Sequence, residues 1–131
     1  MWQVQLEREL IDRLPQTALH HVAGSARDSA RLDQWSDLDL HIDLSRADKP
    51  IDLLAGAEVW AASEDLADGR QVLRVVLVDG RRVDLVVEGG RVRVPVLAAD
   101  NEIRILAALA ATKLGRDDRL IGLHLALELM R

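Results

Sequence analysis

The segment from Ala23 to Leu44, AGSARDSARLDQWSDLDLHIDL, constrains this chain more than any other. Its second half alternates. Leu38, Leu40, Ile42 and Leu44 fall at even spacing, with Asp37, Asp39, His41 and Asp43 between them. A period of two marks a half-buried strand. On such a strand Asp37 and Asp39 share a face, about 6.6 Å apart along the chain at about 3.3 Å per residue. At about 5 Å and an effective dielectric of about 20, two such charges repel by about 3 kcal/mol. A fold gains nothing from that repulsion unless a cation sits between the acids. Oxygen-only donors at this density suit Mg²⁺ or another hard divalent ion. Just upstream, Gly24 lets backbone N–H groups approach an anion, and the Ser25 hydroxyl adds a donor. A carboxylate pair beside a phosphate-cradling turn is equipment for nucleotide chemistry.

Gly24-Ser25, an eleven-residue spacer and then Asp37-Leu38-Asp39-Leu40 resemble the signature of the DNA polymerase beta-like nucleotidyltransferase superfamily. The form GSARDSARLDQWSDLDL is most similar to its bacterial branch, which contains aminoglycoside adenylyltransferases and minimal nucleotidyltransferases. The resemblance covers about residues 19–87 well and the C-terminal region loosely. It implies an α+β nucleotidyltransferase fold, a small mixed sheet packed by helices and followed by two C-terminal helices. It also implies a third carboxylate on a later strand. Asp84, within RRVDLVV, is the acid with that apolar strand pattern around it. By the resemblance, Asp37, Asp39 and Asp84 are the catalytic residues and hold two Mg²⁺ ions. Gly24, Ser25, Arg27 and Ser36 are candidates for the nucleotide's phosphates, though Ser36 also suits the start of the strand.

Composition narrows the choice. One chain of 131 residues fits one domain, and 49% hydrophobic content fits a globular core. The net charge of −5 gives no bulk basic surface, so polymeric nucleic acid is not an expected partner. A nucleotide with its metal is compatible, because the cation mediates. With no cysteine, disulfides, zinc–thiolate sites and thiol catalysis are excluded. The N-terminus is amphipathic and charged, unlike a signal peptide, and no apolar run reaches the roughly 20 residues of a membrane span. A cytoplasmic protein without membrane contact is expected.

Along the chain, residues 2–14 read as a helix with Leu6, Leu10 and Leu14 on one side, ended by Pro15. Residues 17–23 read as a strand in which at most one of His20 and His21 faces the site. Residues 48–55 suit a short helix capped by Asp48, residues 58–62 a strand, and residues 63–69 a polar connection. QVLRVVLV and RRVDLVV flank Asp79-Gly80, a two-residue hairpin signal. If Val78 pairs with Arg81, Asp84 lies opposite Val75. Residues 91–96 read as a further short strand. Residues 101–114 read as a helix with Asp100 or Asn101 at its cap, and residues 118–131 as a second, apolar nearly all round. Residues 1–98 thus form the core and 99–131 two trailing helices of the same unit. The apolar last helix predicts a homodimer or a partner chain seated on residues 118–131.

The expected reaction moves a nucleoside monophosphate, AMP from ATP, to a hydroxyl of a small-molecule acceptor, aminoglycoside-like in the nearest branch. Two alternatives stay open: a minimal nucleotidyltransferase that modifies a protein, as the antitoxin of a toxin–antitoxin pair, and a non-catalytic domain that binds a nucleotide or a partner.

Overall fold

The structure, a computed structural model, describes residues 2–23, 37–115 and 119–130. Among these residues it is a mixed α+β fold of one five-stranded sheet and three helices. The helices are α1 (Trp2–Ile11), α2 (Asn101–Gly115) and α3 (Arg119–Leu129). The strands are β1 (Leu19–Ala23), β2 (Leu38–Asp43), β3 (Val59–Ala67), β4 (Arg70–Leu77) and β5 (Arg82–Glu88). They lie in the order β1-β2-β5-β4-β3, with β2 and β5 parallel and every other neighbour antiparallel.

Alternation decides which face each side chain takes. Leu38, Leu40 and Ile42 of β2, Val83, Leu85 and Val87 of β5, and Leu73, Val75 and Leu77 of β4 are buried together on one face. Leu6 and Leu10 of α1 close that core, with Leu44, Leu53, Leu54 and Val92 joining from the connections. The helix ends at Ile11, and turns over Asp12 to Leu14 replace the rest of the expected residues 2–14. Pro15 lacks the N–H needed to continue it.

Four expectations need correction. Residues 48–55 form turns, not a helix. The Ile51 N–H donates to the Arg91 carbonyl, and the Arg93 N–H donates to the Ile51 carbonyl, so both polar groups of Ile51 serve a parallel bridge to Val92. Residues 91–96 contribute only that bridge, not a strand. Residues 63–69 are not a connection either: β3 runs on to Ala67 and turns into β4 through Asp68 and Gly69, at φ 54° and 72°. Two positive φ values give the hairpin turn whose twist matches its strands. The Ser-Glu-Asp run obscured this strand because its far half, on the sheet edge, is exposed.

The fourth correction is a register. The Leu77 N–H donates to the Arg81 carbonyl at 2.8 Å, and Gly80, at φ 90°, closes a three-residue loop of Val78, Asp79 and Gly80. The loop is one residue longer than a two-residue turn at Asp79-Gly80, so Asp84 pairs with Arg74 and not with Val75.

Two side-chain amides fasten the outer segments. Asn101 does not cap its own helix. Its Nδ2 donates to the Ala62 carbonyl at 2.7 Å, and its Oδ1 accepts the Ala62 N–H at 3.0 Å. One amide thereby satisfies both edge groups of a β3 residue and anchors α2. Gln71, buried, does the same for the bridge segment: its Nε2 donates to the Val92 carbonyl and its Oε1 accepts the Val92 N–H. The start of α2 is also held by Arg104, which donates to the Trp60 carbonyl and lies over the Trp60 ring at 5.2 Å. Helix α3 packs on α2, where Gly122 meets Leu114, and leaves Leu123, Leu127 and Met130 exposed. No helix among the described residues is long and apolar enough to cross a membrane.

Candidate active site

The face opposite the core carries the acids. Asp39 on β2 and Asp84 on β5 are register partners across the parallel pair. Register partners on neighbouring strands point to the same side, about 4.8 Å apart in the sheet. Asp37, two residues earlier, falls on that side too. Its Oδ1 accepts a hydrogen bond from the Arg82 Nε at 2.6 Å. Arg74 stands across from Asp84 on β4, its Nε 4.0 Å from Oδ2. Five ionisable groups, three acids and two arginines, therefore meet on the three central strands.

All three acids expected from the sequence are on this face. The two arginines were missed, although the same period of two could have found them: Arg82 is two residues before Asp84, and correct register gives Arg74. Gly24, Ser25, Arg27 and Ser36, expected at the phosphates, lie outside the described residues.

The electrostatics follow from the crowding. The Asp84 carboxyl is pushed up from 3.8 to about 6, first by burial and then by the charges of Asp37 and Asp39, against the pull of Arg74 and Arg82. Asp39 is also raised, by burial first and Asp37 second, while His41, Arg74 and a hydrogen bond with the Asp84 carboxyl act the other way. A carboxyl near 6 accepts a proton at neutral pH far better than an ordinary aspartate.

A cleft between this face and α2 is lined by Asp37, Arg74, Arg82 and Asp84 on the sheet side and by Ile105 and Thr112 on the helix side. A larger cavity of about 370 Å³ lies on the opposite face, beneath α1, and touches none of the three acids. Asp37 and Asp84 line the smaller cleft and not this cavity.

The donor set tests whether a hard cation fits. Asp39 and Asp84 offer carboxylate oxygens side by side, and each is raised by burial first and by neighbouring negative charge second, a cost that a cation would relieve. Asp37 is engaged by Arg82 instead. Among the described residues no group of three or more His, Cys, Asp or Glu side chains is placed to hold a metal ion together. The fit is therefore to a two-carboxylate seat, which Asp37 joins only by exchanging its ion pair with Arg82.

Compared with protein-family models, with curated proteins and with solved structures, the chain matches none.

Proposed function

We propose that this chain is a metal-dependent nucleotidyltransferase that moves a nucleoside monophosphate, AMP from ATP, onto a hydroxyl acceptor and releases pyrophosphate. The observation that carries the reading is the in-register pair Asp39–Asp84 with Asp37 on the same face. Two strands that are not consecutive in the chain bring three acids to one spot, at an electrostatic cost a purely structural role would not explain.

Asp39 and Asp84 would hold the divalent cation, with Asp37 completing the seat. The ion, when bound, supplies charge neutralisation at the transferring phosphate. Asp84, on the strand beside Asp39, would also take the proton of the acceptor hydroxyl. The acceptor oxygen then bonds to the α-phosphorus as the bond to pyrophosphate breaks. Arg74, whose side chain is 61% exposed, lies beside Asp84 with its charge available to a phosphate. Arg82, released from Asp37 when the cation enters, would provide a second. In a cleft shielded by α2, placement of these charges accounts for most of the expected acceleration, with no covalent intermediate.

The Asp37–Arg82 ion pair favours a second reading, in which the domain binds a nucleotide or a partner without catalysis. Incubation with α-labelled ATP, Mg²⁺ and a cell lysate distinguishes the two. Transfer of label to a small molecule supports an antibiotic-like acceptor, and transfer to a polypeptide supports a protein acceptor. Asp39→Asn should abolish either transfer while leaving the fold intact. Full transfer by that variant refutes the reading. Thermal stabilisation by ATP and Mg²⁺, about 2.7 kcal/mol at 100 times the dissociation constant, without any transfer leaves the binding role.

A further inference from the structure

Two residues along β2 from Asp39, the same sheet face carries a feature the nucleotide chemistry does not use. His21 on β1 and His41 on β2 are direct register partners across the antiparallel pair. Their ring centroids lie 4.7 Å apart, with the planes tilted by 34°. The pair opens onto a shallow pocket whose lining also includes Val86, Asp43 and Glu88. Asp43 and Glu88 already have partners: Asp43 Oδ1 accepts the Ser45 N–H, and Glu88 pairs with Arg70 at 2.6 Å. They contribute negative potential more than ligand atoms. His20 also borders the pocket, but by alternation its side chain leaves β1 on the other face from His21.

We propose that His21 and His41 form a two-imidazole chelate for a borderline divalent transition-metal ion of the Zn²⁺ class, with water in the remaining positions. Tetrahedral zinc with Zn–N distances of about 2.0–2.1 Å holds two ligand nitrogens about 3.3 Å apart. Rings centred 4.7 Å apart on paired residues are close enough for rotation about χ1 and χ2 to bring one nitrogen of each to that separation. The backbone has already fixed the two side chains opposite one another, so little ordering entropy opposes chelation. Imidazole nitrogen selects zinc, nickel or copper, whereas the carboxylates of Asp39 and Asp84 select a hard ion such as Mg²⁺. The two seats therefore discriminate by donor chemistry although they share a face. An ion on the histidine pair ties the edge strand β1 to β2 without touching the core.

The proposal is independent of the nucleotidyltransferase reading, and its test needs no activity. The full-length protein, stripped with a chelator and kept near neutral pH, is titrated with Zn²⁺ by calorimetry and with Co²⁺ by visible absorption. One ion should bind with nitrogen-ligand character, and a large excess of Mg²⁺ should not displace it. His21→Ala and His41→Ala should each weaken binding about tenfold or more, while His20→Ala and the double variant Asp39→Asn/Asp84→Asn retain it. Circular dichroism of each variant confirms the fold. Failure of the folded wild-type chain to bind Zn²⁺, or loss of binding in the aspartate variant but not in the histidine variants, overturns the proposal.

Discussion

Replacing Asp84 by Asn should make the metal-free protein more stable while removing the proposed proton acceptor. The sign comes from the direction of the carboxyl's shift. Asp84 has a folded-state value of about 6 against an ordinary 3.8, so the folded chain holds a proton that the unfolded chain releases more readily. Its favourable contribution is fully present below 3.8 and is lost as the pH rises through 6. The full difference corresponds to about 3 kcal/mol at about 1.4 kcal/mol per pH unit. By linkage the penalty is about 1 kcal/mol at about pH 4.5 and about 3 kcal/mol at about pH 8. Asn has the shape of the protonated acid and cannot ionise, so it approximates the unpenalised state at both pH values. The opposing attraction of Arg74 and Arg82 is already contained in that shifted value. Urea denaturation of wild type and Asp84→Asn in the presence of a chelator should show the variant ahead at both pH values. Its advantage should widen by about 2 kcal/mol from about pH 4.5 to about pH 8. For a domain of this size that difference is about 5–10 °C in melting temperature. A variant less stable than wild type at the higher pH, or a gap that does not change with pH, refutes the electrostatic account of the site.

Other substitutions probe separate parts of the fold. Arg82→Gln should cost about 1–3 kcal/mol without divalent ions, because it leaves Asp37 without its 2.6 Å partner. Mg²⁺ should recover part of that loss and should stabilise the variant more than wild type; equal stabilisation of the two would show that Arg82 and the ion do not compete for Asp37. Asn101→Ala removes both hydrogen bonds to Ala62 and should cost about 2–3 kcal/mol, with the Ala62 amide exchanging faster in deuterium-exchange measurements. Gly89→Ala should cost more than about 2 kcal/mol, because at φ 71° its added Cβ would stand 2.6 Å from Asp43 Oδ1 and 3.0 Å from the Ser45 backbone nitrogen. Gly56→Ala, also at positive φ but in open space, should cost less. Thermal melts of the two glycine variants side by side check this comparison.

The parts legible in the sequence are those set by local periodicity. Leu38, Leu40 and Ile42 announced β2, and the leucines of α1 announced its buried side. The shared face of Asp37 and Asp39 followed from the same count of two. The positions that escaped depend on partners distant in the chain. Asn101 looked like a helix cap because cap residues and edge-strand clips use the same short amide, and only Ala62, 39 residues away, decides between them. Residues 48–55 suit a short helix capped by Asp48, yet Arg91 and Arg93 claim the backbone of Ile51. The far half of β3 read as a connection because an exposed edge strand need not alternate. The companion of Asp84 was missed by a single residue, since a dipeptide signal gives a turn's place more firmly than its length.

That one residue has a consequence for how this protein can change. Both bends of the β3–β4–β5 meander contain Asp-Gly, but they tolerate alteration differently. Lengthening the bend at Asp68-Gly69 would slide β3, with the Ala62 clip to α2, but would leave the β4–β5 and β2–β5 registers that align the acids unchanged. Shortening the bend at Val78 to Gly80 by one position would slide β4 past β5, bring a valine alongside Asp84 and drive a guanidinium toward the hydrocarbon interior. Tags and insertions belong at the first bend, whereas the length of the second acts as a gauge that holds the charge pattern of the whole face.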